Sequence, residues 1–246
     1  MENKVPFDEL KIRMKRFREK MDEISPEWEA AVIFSKINQY YFTGTMQDGM
    51  LYIPRENEAV YFVRRSYERA VDESLFPDIR PMISFRDASS SIDKMPDILF
   101  METEFVPLSL YQRFLKYFPV REVKSVDMPI ASIRAVKSEY ELSLIRKAGQ
   151  IHKRVFEEIV PGMLKEGVSE ANFAADLFSM MVREGHDGIS RFRMLDTEMM
   201  PGQIGFGESS IYPTSFNGPG GNYGLSPAVP LLGSRKRTLR KGDRKS

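Results

Sequence analysis

The sequence predicts an α/β protein, and three features of its pattern support that class. Apolar runs of four or five residues, the length of buried strands, alternate with amphipathic stretches of helical period over residues 10–117. Segments rich in proline, aspartate and asparagine separate these runs, as turns do. Two further helical patterns follow within residues 138–185. We therefore expect a mixed sheet with helices packed on its faces, followed by a second domain.

The first domain is predicted to begin with an amphipathic helix that ends at Ser25-Pro26, since a residue before proline disfavours helix. Its apolar face comprises Leu10, Met14, Phe17 and Met21. Next come strands over residues 30–34, 50–53 and 59–63, the last two as a hairpin, and a helix over 66–75. A strand over 81–85, a loop over 87–91, a strand over 98–101 and a helix over 108–117 complete the domain.

Asp127-Met128-Pro129 is the candidate linker, which gives predicted domains of residues 1–128 and 129–246. After a short extended stretch, Ser138 and Glu141 have the S-x-x-E spacing of a capping box, and they open a helix that Pro161-Gly162 ends. A second helix starts within Gly167-Val168-Ser169-Glu170 and closes at Gly185 in the C′ position.

Composition excludes several classes of protein. A net charge of +1 provides no overall field to attract nucleic acid or an anionic membrane, so neither partner is expected. The absence of cysteine rules out disulfides and thiolate metal sites. No apolar signal region opens the sequence and no apolar run reaches the length of a membrane span, so we expect a cytoplasmic protein.

Local motifs for chemistry are sparse. His152 and His186 do not have a metal-ligand spacing. The glycine-rich stretch 215–224 places Tyr223 where a G-x-G-x-x-G phosphate loop needs glycine, and no G-x-S-x-G elbow is present. So many glycines indicate turns or a close backbone approach. We therefore assign no catalytic and no metal-binding residue. Asn217, Gly220 and Asn222 are either residues of an ordinary loop or candidate substrate-binding residues.

Four separated segments resemble one known family. Residues 133–148, the turn over 161–170 and Leu239-Arg240-Lys241-Gly242-Asp243 resemble the opening of the pita-bread metallopeptidase domain of Xaa-Pro aminopeptidases, prolidases and creatinase. Upstream, Asn38-Gln39-Tyr40-Tyr41-Phe42-Thr43-Gly44 is similar to the tyrosine-glycine signature in the N-terminal domain of the creatinase and Xaa-Pro aminopeptidase branch. The resemblance implies a creatinase-type mixed-sheet domain over 1–128 and the first half of a pita-bread α+β domain over 129–246.

The resemblance also implies hydrolysis of N-terminal X-Pro peptide bonds with two divalent metal ions, such as manganese, cobalt or zinc. In the family, two Asp, one His and two Glu hold these ions, and the first Asp follows several residues after the Gly-Asp that corresponds to Gly242-Asp243. No residue of the sequence given matches any of those five positions. The histidine that relatives carry shortly before the Gly-Asp is also missing, since none follows His186.

Three interpretations stay open. The first is a truncated, inactive chain of an Xaa-Pro aminopeptidase-like enzyme, and the second is a non-catalytic binding module of the pita-bread fold. The third is an active enzyme with an unfamiliar site, or half of a split enzyme that a partner completes. The resemblance further implies a homodimer, or a heterodimer with a full-length relative, formed through the N-terminal domain. A peptide substrate is expected only where the missing half is supplied.

Overall fold

The computed structural model describes residues 4–188, 190–191, 198–199, 202–213 and 221–243. The chain divides into two compact units, Met1–Tyr140 and Glu141–Ser246, called here the N-terminal and C-terminal units. The predicted boundary at residue 128 lies within a helix of the N-terminal unit. That helix packs against the first helix of the unit, so residues 127–129 begin an element rather than form a linker.

The N-terminal unit contains a mixed sheet, as predicted. Its elements are α1 Phe7–Ile24, β1 Ala30–Ile33, α2 Lys36–Thr43, β2 Gly49–Pro54, β3 Val60–Val63, α3 Tyr67–Glu73, β4 Ile79–Pro81, α4 Phe85–Ser89, β5 Ile98–Met101, α5 Leu108–Leu115, β6 Glu122–Ser125 and α6 Asp127–Ala135. The six strands lie in the order β4-β3-β2-β1-β5-β6. β2 is antiparallel to both neighbours, and the other pairs are parallel.

Helices cover both faces of this sheet, so the central strands are buried on both sides. On β1, Ala31 and Ile33 join the core under α1, α2 and α6, whereas Ala30 and Val32 join the core under α4 and α5. This division follows from the two-residue period of a strand. The predicted face of α1 is confirmed, because its four apolar residues are all buried. Phe17 contacts the rings of Trp28 and Phe42 edge-on, with centroids 5.9 and 5.3 Å away.

The structure differs from the sequence predictions at several places in the N-terminal unit. The strand predicted over 81–85 lies earlier, as β4, and α4 occupies part of the predicted loop because Ser84 and Asp87 form a capping box. Strand β6 was missed, since this edge strand is largely exposed and has no apolar run. Residues 133–135 are helical, not extended. Pro129 fits the first turn of α6, where a missing N–H costs no helical hydrogen bond.

The C-terminal unit begins with a long helical segment. It comprises α7 Glu139–Arg154, a wider π-helical turn Val155–Ile159 and α8 Val160–Met163. The helix therefore runs past Pro161 instead of stopping there. In a regular α-helix the proline ring would clash with the carbonyl of Glu157, and the wider turn just before it relieves that conflict.

Helix α9, Glu170–Arg183, has the two ends that the sequence predicts. The Ser169 side chain accepts a hydrogen bond from the Asn172 N–H at 3.2 Å. At the other end Gly185 has φ 102°, and its N–H and that of His186 bond to carbonyls of the last turn. Short strands β7 Ser190–Arg191 and β8 Glu198–Met199 pair antiparallel, and a 3₁₀ turn covers Gly207–Ile211.

A small apolar core lies in the C-terminal unit. Its buried members are Val155, Phe173, Ala174, Leu177, Ile204, Phe206 and Leu239. The core therefore joins the π-helical turn and α9 to loops from the last third of the sequence. Across the described residues, no helix combines the length and the apolar character that a membrane crossing needs.

Candidate functional site

The signature in residues 38–44 forms most of α2, and its central polar residue is a buried connector. Gln39 is fully buried, and its Nε2 donates to the carbonyls of Ile33 at 3.1 Å and Gly49 at 2.7 Å. Its Oε1 accepts a hydrogen bond from the Tyr61 hydroxyl at 3.2 Å, and burial raises the pKa of that hydroxyl. Gln39 thus ties α2 to strands β1, β2 and β3.

Glu102 anchors the start of α2 from the end of β5. Its carboxylate accepts the backbone N–H groups of Phe34 at 2.6 Å and Ser35 at 2.8 Å, and the Asn38 amide at 2.5 Å. The Asn38 oxygen in turn accepts from Arg134 at 2.8 Å. Burial raises the pKa of Glu102 although these donors oppose the shift. The side-chain amides of Asn38 and Gln39 are therefore both bonded within the N-terminal unit.

A second buried charge cluster lies within the N-terminal unit, where it joins α1 to α2 and to Ser138, the residue before α7. Arg13 donates to Glu9 at 2.7 Å and to the Tyr41 carbonyl at 2.8 Å, and its guanidinium lies 4.5 Å from the Tyr41 ring centroid. The Ser138 hydroxyl also donates to Glu9, at 2.8 Å. The predicted cap residue of α7 therefore contributes a tertiary contact. Paired in this way, Glu9 and Arg13 tolerate burial.

In the C-terminal unit, Glu170 is the central polar residue, a role that the sequence pattern did not predict. Its carboxylate is fully buried and accepts the N–H of Phe206 at 2.8 Å, the N–H of Ser234 at 2.8 Å and the Ser209 hydroxyl. Glu170 thereby fastens the start of α9 to two separate loops. An acidic residue in the first helical turn normally indicates a solvent-facing partner of the helix dipole, so the sequence carried no signal for this burial.

The Leu239–Asp243 segment is a turn locked by its aspartate. Asp243 accepts the Arg240 N–H at 2.7 Å and pairs with Arg237 at 2.7 Å. The Arg240 N–H, with the nearby Arg237, lowers the pKa of Asp243. Gly207 packs against this pair with φ 56°, and a side chain there would meet the carboxylate. The Gly-Asp of the resemblance is therefore a structural turn.

Of the three predicted substrate-binding residues, Asn217 and Gly220 lie outside the described residues. Asn222 is described, and it is buried. Its Nδ2 donates to the Leu231 carbonyl at 3.0 Å, and its Oδ1 accepts the Gly224 N–H at 2.7 Å. Both ends of the amide thus bond to the backbone and hold the loop.

No set of residues in the described part of the chain fits a metal ion. Within the described ranges, no group of three or more His, Cys, Asp or Glu side chains is placed to coordinate one. His152 stacks on Phe156 with centroids 4.5 Å apart, and His186 accepts the Gly188 N–H at its Nδ1. The donor set needed for two divalent ions is not assembled there, so we derive no chemical step through metals.

Comparisons with known proteins agree with this architecture. The chain resembles the prolidase of Pyrococcus horikoshii, with 22% sequence identity and a TM-score of 0.72. The match covers 94% of this chain and 58% of that one. It also resembles the Xaa-Pro dipeptidase of Bacillus anthracis, at 16% identity and a TM-score of 0.71 over 96% and 59%. These likenesses establish the fold: a creatinase-type N-terminal domain plus part of the pita-bread fold of prolidases.

Sequence comparison finds an uncharacterized peptidase of Staphylococcus aureus, 29% identical over 159 residues, which are 61% of this chain and 44% of the relative. The chain thus spans less than half the length of the curated relatives it matches. The family model of the Creatinase/Prolidase N-terminal domain matches residues 13–136, about half of the chain. The chain therefore belongs to the creatinase/prolidase N-terminal domain family.

Proposed function

We propose that these 246 residues are part of an Xaa-Pro peptidase of the prolidase type, a metallopeptidase that hydrolyses the bond before proline in short peptides. The observation that carries the proposal is the fold, which follows solved prolidases over 94% of the chain, through both units. The segment that resembles the family's tyrosine-glycine signature forms most of α2, and the Gly242-Asp243 segment forms a turn.

We further propose that these residues do not catalyse this reaction alone. The reaction depends on metal ions that lower the pKa of a bound water and polarise the peptide carbonyl. The described residues do not bring the required ligands together, and no sequence position matches the five ligands of the family. The peptide would then be bound and cleaved only when the missing half is supplied.

Two alternatives are retained from the sequence. A non-catalytic binding module of the pita-bread fold would bind a partner without metal ions. Half of a split enzyme would instead gain activity from a partner chain. We also propose assembly as a homodimer, or as a heterodimer with a full-length relative, through the N-terminal unit.

Peptide hydrolysis by the purified chain tests these proposals. The chain is incubated with an X-Pro dipeptide and with manganese, cobalt or zinc in turn, and a dipeptide lacking proline serves as the control substrate. We expect no turnover above the metal-only blank. Turnover of the X-Pro dipeptide alone would support the family activity and contradict the inactivity of this chain. Light scattering at micromolar concentration that shows only monomer would contradict the homodimer.

A further inference from the structure

A cavity of about 360 Å³ opens at one edge of the sheet in the N-terminal unit. Phe34 follows β1, Arg64 follows β3 and Met82 follows β4, so residues just beyond the carboxyl ends of three parallel strands line it. In open α/β sheets this edge is where ligands bind. The volume lies in the lower part of the range for small-molecule pockets.

The inner wall of this cavity is aromatic and fixed in place. Phe34 and Phe85 line it and contact each other edge-on, with centroids 6.0 Å apart. Both rings also contact Phe114 edge-on, at 5.9 and 5.7 Å. Ile83, whose side chain is 86% exposed, adds apolar surface to the same pocket. Aromatic rings of this kind pack favourably against a flat apolar group.

The remaining lining carries an excess of positive charge. Arg64, Arg113 and Lys116 line the cavity, and Asp48 is the one carboxylate among the lining residues. An Asp48 carboxylate oxygen lies 3.8 Å from an Arg64 guanidinium nitrogen, so these two charges pair with each other. The cationic side chains of Arg113 and Lys116 remain. Among the described residues, neither Arg113 nor Lys116 forms an ion pair, and the Arg113 Nε bonds only to the Ser109 carbonyl of its own helix at 3.3 Å.

We propose that this cavity, the aromatic-basic pocket, binds a small organic anion with a planar apolar body. The planar body packs against Phe34 and Phe85, and its carboxylate or phosphate bonds to Arg113 and Lys116. A bound anion would complement the two positive charges that line the aromatic pocket. A guanidinium group favours a carboxylate or a phosphate because it can form paired hydrogen bonds with either. The proposal uses residues of the N-terminal unit alone and does not depend on peptide hydrolysis.

Calorimetric titration of the full chain tests this site with four probes. They are 2-naphthoate, adenosine monophosphate, uncharged 2-naphthamide and inorganic phosphate. We expect at least one of the two planar anions to bind more tightly than 2-naphthamide and than inorganic phosphate. If 2-naphthoate binds more tightly than adenosine monophosphate, the anionic group of the ligand is assigned as a carboxylate. If adenosine monophosphate binds more tightly than 2-naphthoate, the group is assigned as a phosphate.

Variants locate the binding. Arg113→Gln and Lys116→Gln should each weaken it about threefold to tenfold, the range expected for loss of one partly exposed charged hydrogen bond. Lys124→Gln, an exposed lysine of β6 outside the pocket, should leave it unchanged. Circular dichroism checks that all three variants are folded. Absence of binding by both planar anions, equal binding of 2-naphthamide, or no effect of the Arg113→Gln/Lys116→Gln double variant would overturn the proposal.

Discussion

The two units of this protein are stabilised in different ways. In the N-terminal unit, two apolar layers on either side of one sheet supply most of the burial, and buried polar groups such as Glu102 link the ends of elements. In the C-terminal unit a smaller core is accompanied by polar side chains that fasten loops, chiefly Glu170, Asn222 and Asp243. The first arrangement depends on side-chain volume and the second on hydrogen-bond satisfaction.

The largest expected effect comes from removing a core ring in the N-terminal unit. Phe17→Ala should lower the free energy of unfolding by about 3–5 kcal/mol, because it removes a fully buried ring and leaves a cavity. Urea denaturation followed by the fluorescence of Trp28, the single tryptophan, measures this change beside the altered site. Phe7→Ala on the same helix, where the ring is 43% exposed, is the control and should cost far less.

An intermediate effect is expected in the C-terminal unit from a change that preserves shape. Glu170→Gln replaces one accepting oxygen by a donor, so a buried N–H or hydroxyl loses its partner, at a cost of about 1–3 kcal/mol. Hydrogen exchange should speed up at Phe206 and Ser234, whose N–H groups the carboxylate accepts. Glu166→Gln, at an exposed position four residues earlier, is the control. Equal exchange in the two variants would contradict the anchoring role of Glu170.

The smallest expected effect is an opposite dependence on pH in the two units. Burial raises the pKa of Glu102, so the folded state holds its proton more tightly than the unfolded chain does. Its contribution to stability is complete below the ordinary glutamate pKa of about 4.3 and is lost as pH rises through the folded value. The pKa of Asp243 is lowered, so its contribution is complete above about 3.9 and is lost as pH falls.

Two variants separate these contributions. In the unchanged protein, the free energy of unfolding, followed by Trp28 fluorescence, should fall as pH rises through the pKa of Glu102. The Glu102→Gln variant should lack this fall. In the unchanged protein, the Arg240 amide should lose protection from hydrogen exchange on acidification, after correction for the intrinsic exchange rate. The Asp243→Asn variant should lack this pH-dependent loss. A pH slope of the same sign for both groups would contradict the assignment of opposite pKa shifts.

The comparison also explains which parts of the structure could be predicted from sequence. The face of α1 follows from spacing, and the ends of α9 follow from Ser169 and Gly185, since each depends only on neighbouring residues. Strand β6 could not be predicted in this way, because an exposed edge strand lacks an apolar run and is defined by its pairing with β5.

Prediction of the site was limited for a related reason. The glycine-rich stretch suggested Asn222 as a substrate-binding residue, and this stays a prediction; in the structure its amide bonds to the backbone of its own loop. Glu170 was seen as part of a cap, although its carboxylate joins segments more than thirty residues apart in sequence. Buried polar contacts of this kind depend on which loops meet in space. Local sequence patterns do not encode that information.

We propose, as the central claim, that this chain, which has the fold of solved prolidases, does not hold the metal ions of that reaction by itself. Among the described residues, no group of side chains is placed to coordinate one. Equilibrium dialysis of the purified chain against manganese, cobalt and zinc, followed by elemental analysis, tests this claim most directly. We predict that the dialysed protein retains less than about one ion per chain, since a dinuclear centre of the type in this reaction holds two. Retention of two ions per chain would contradict the claim and show that these residues build a complete centre.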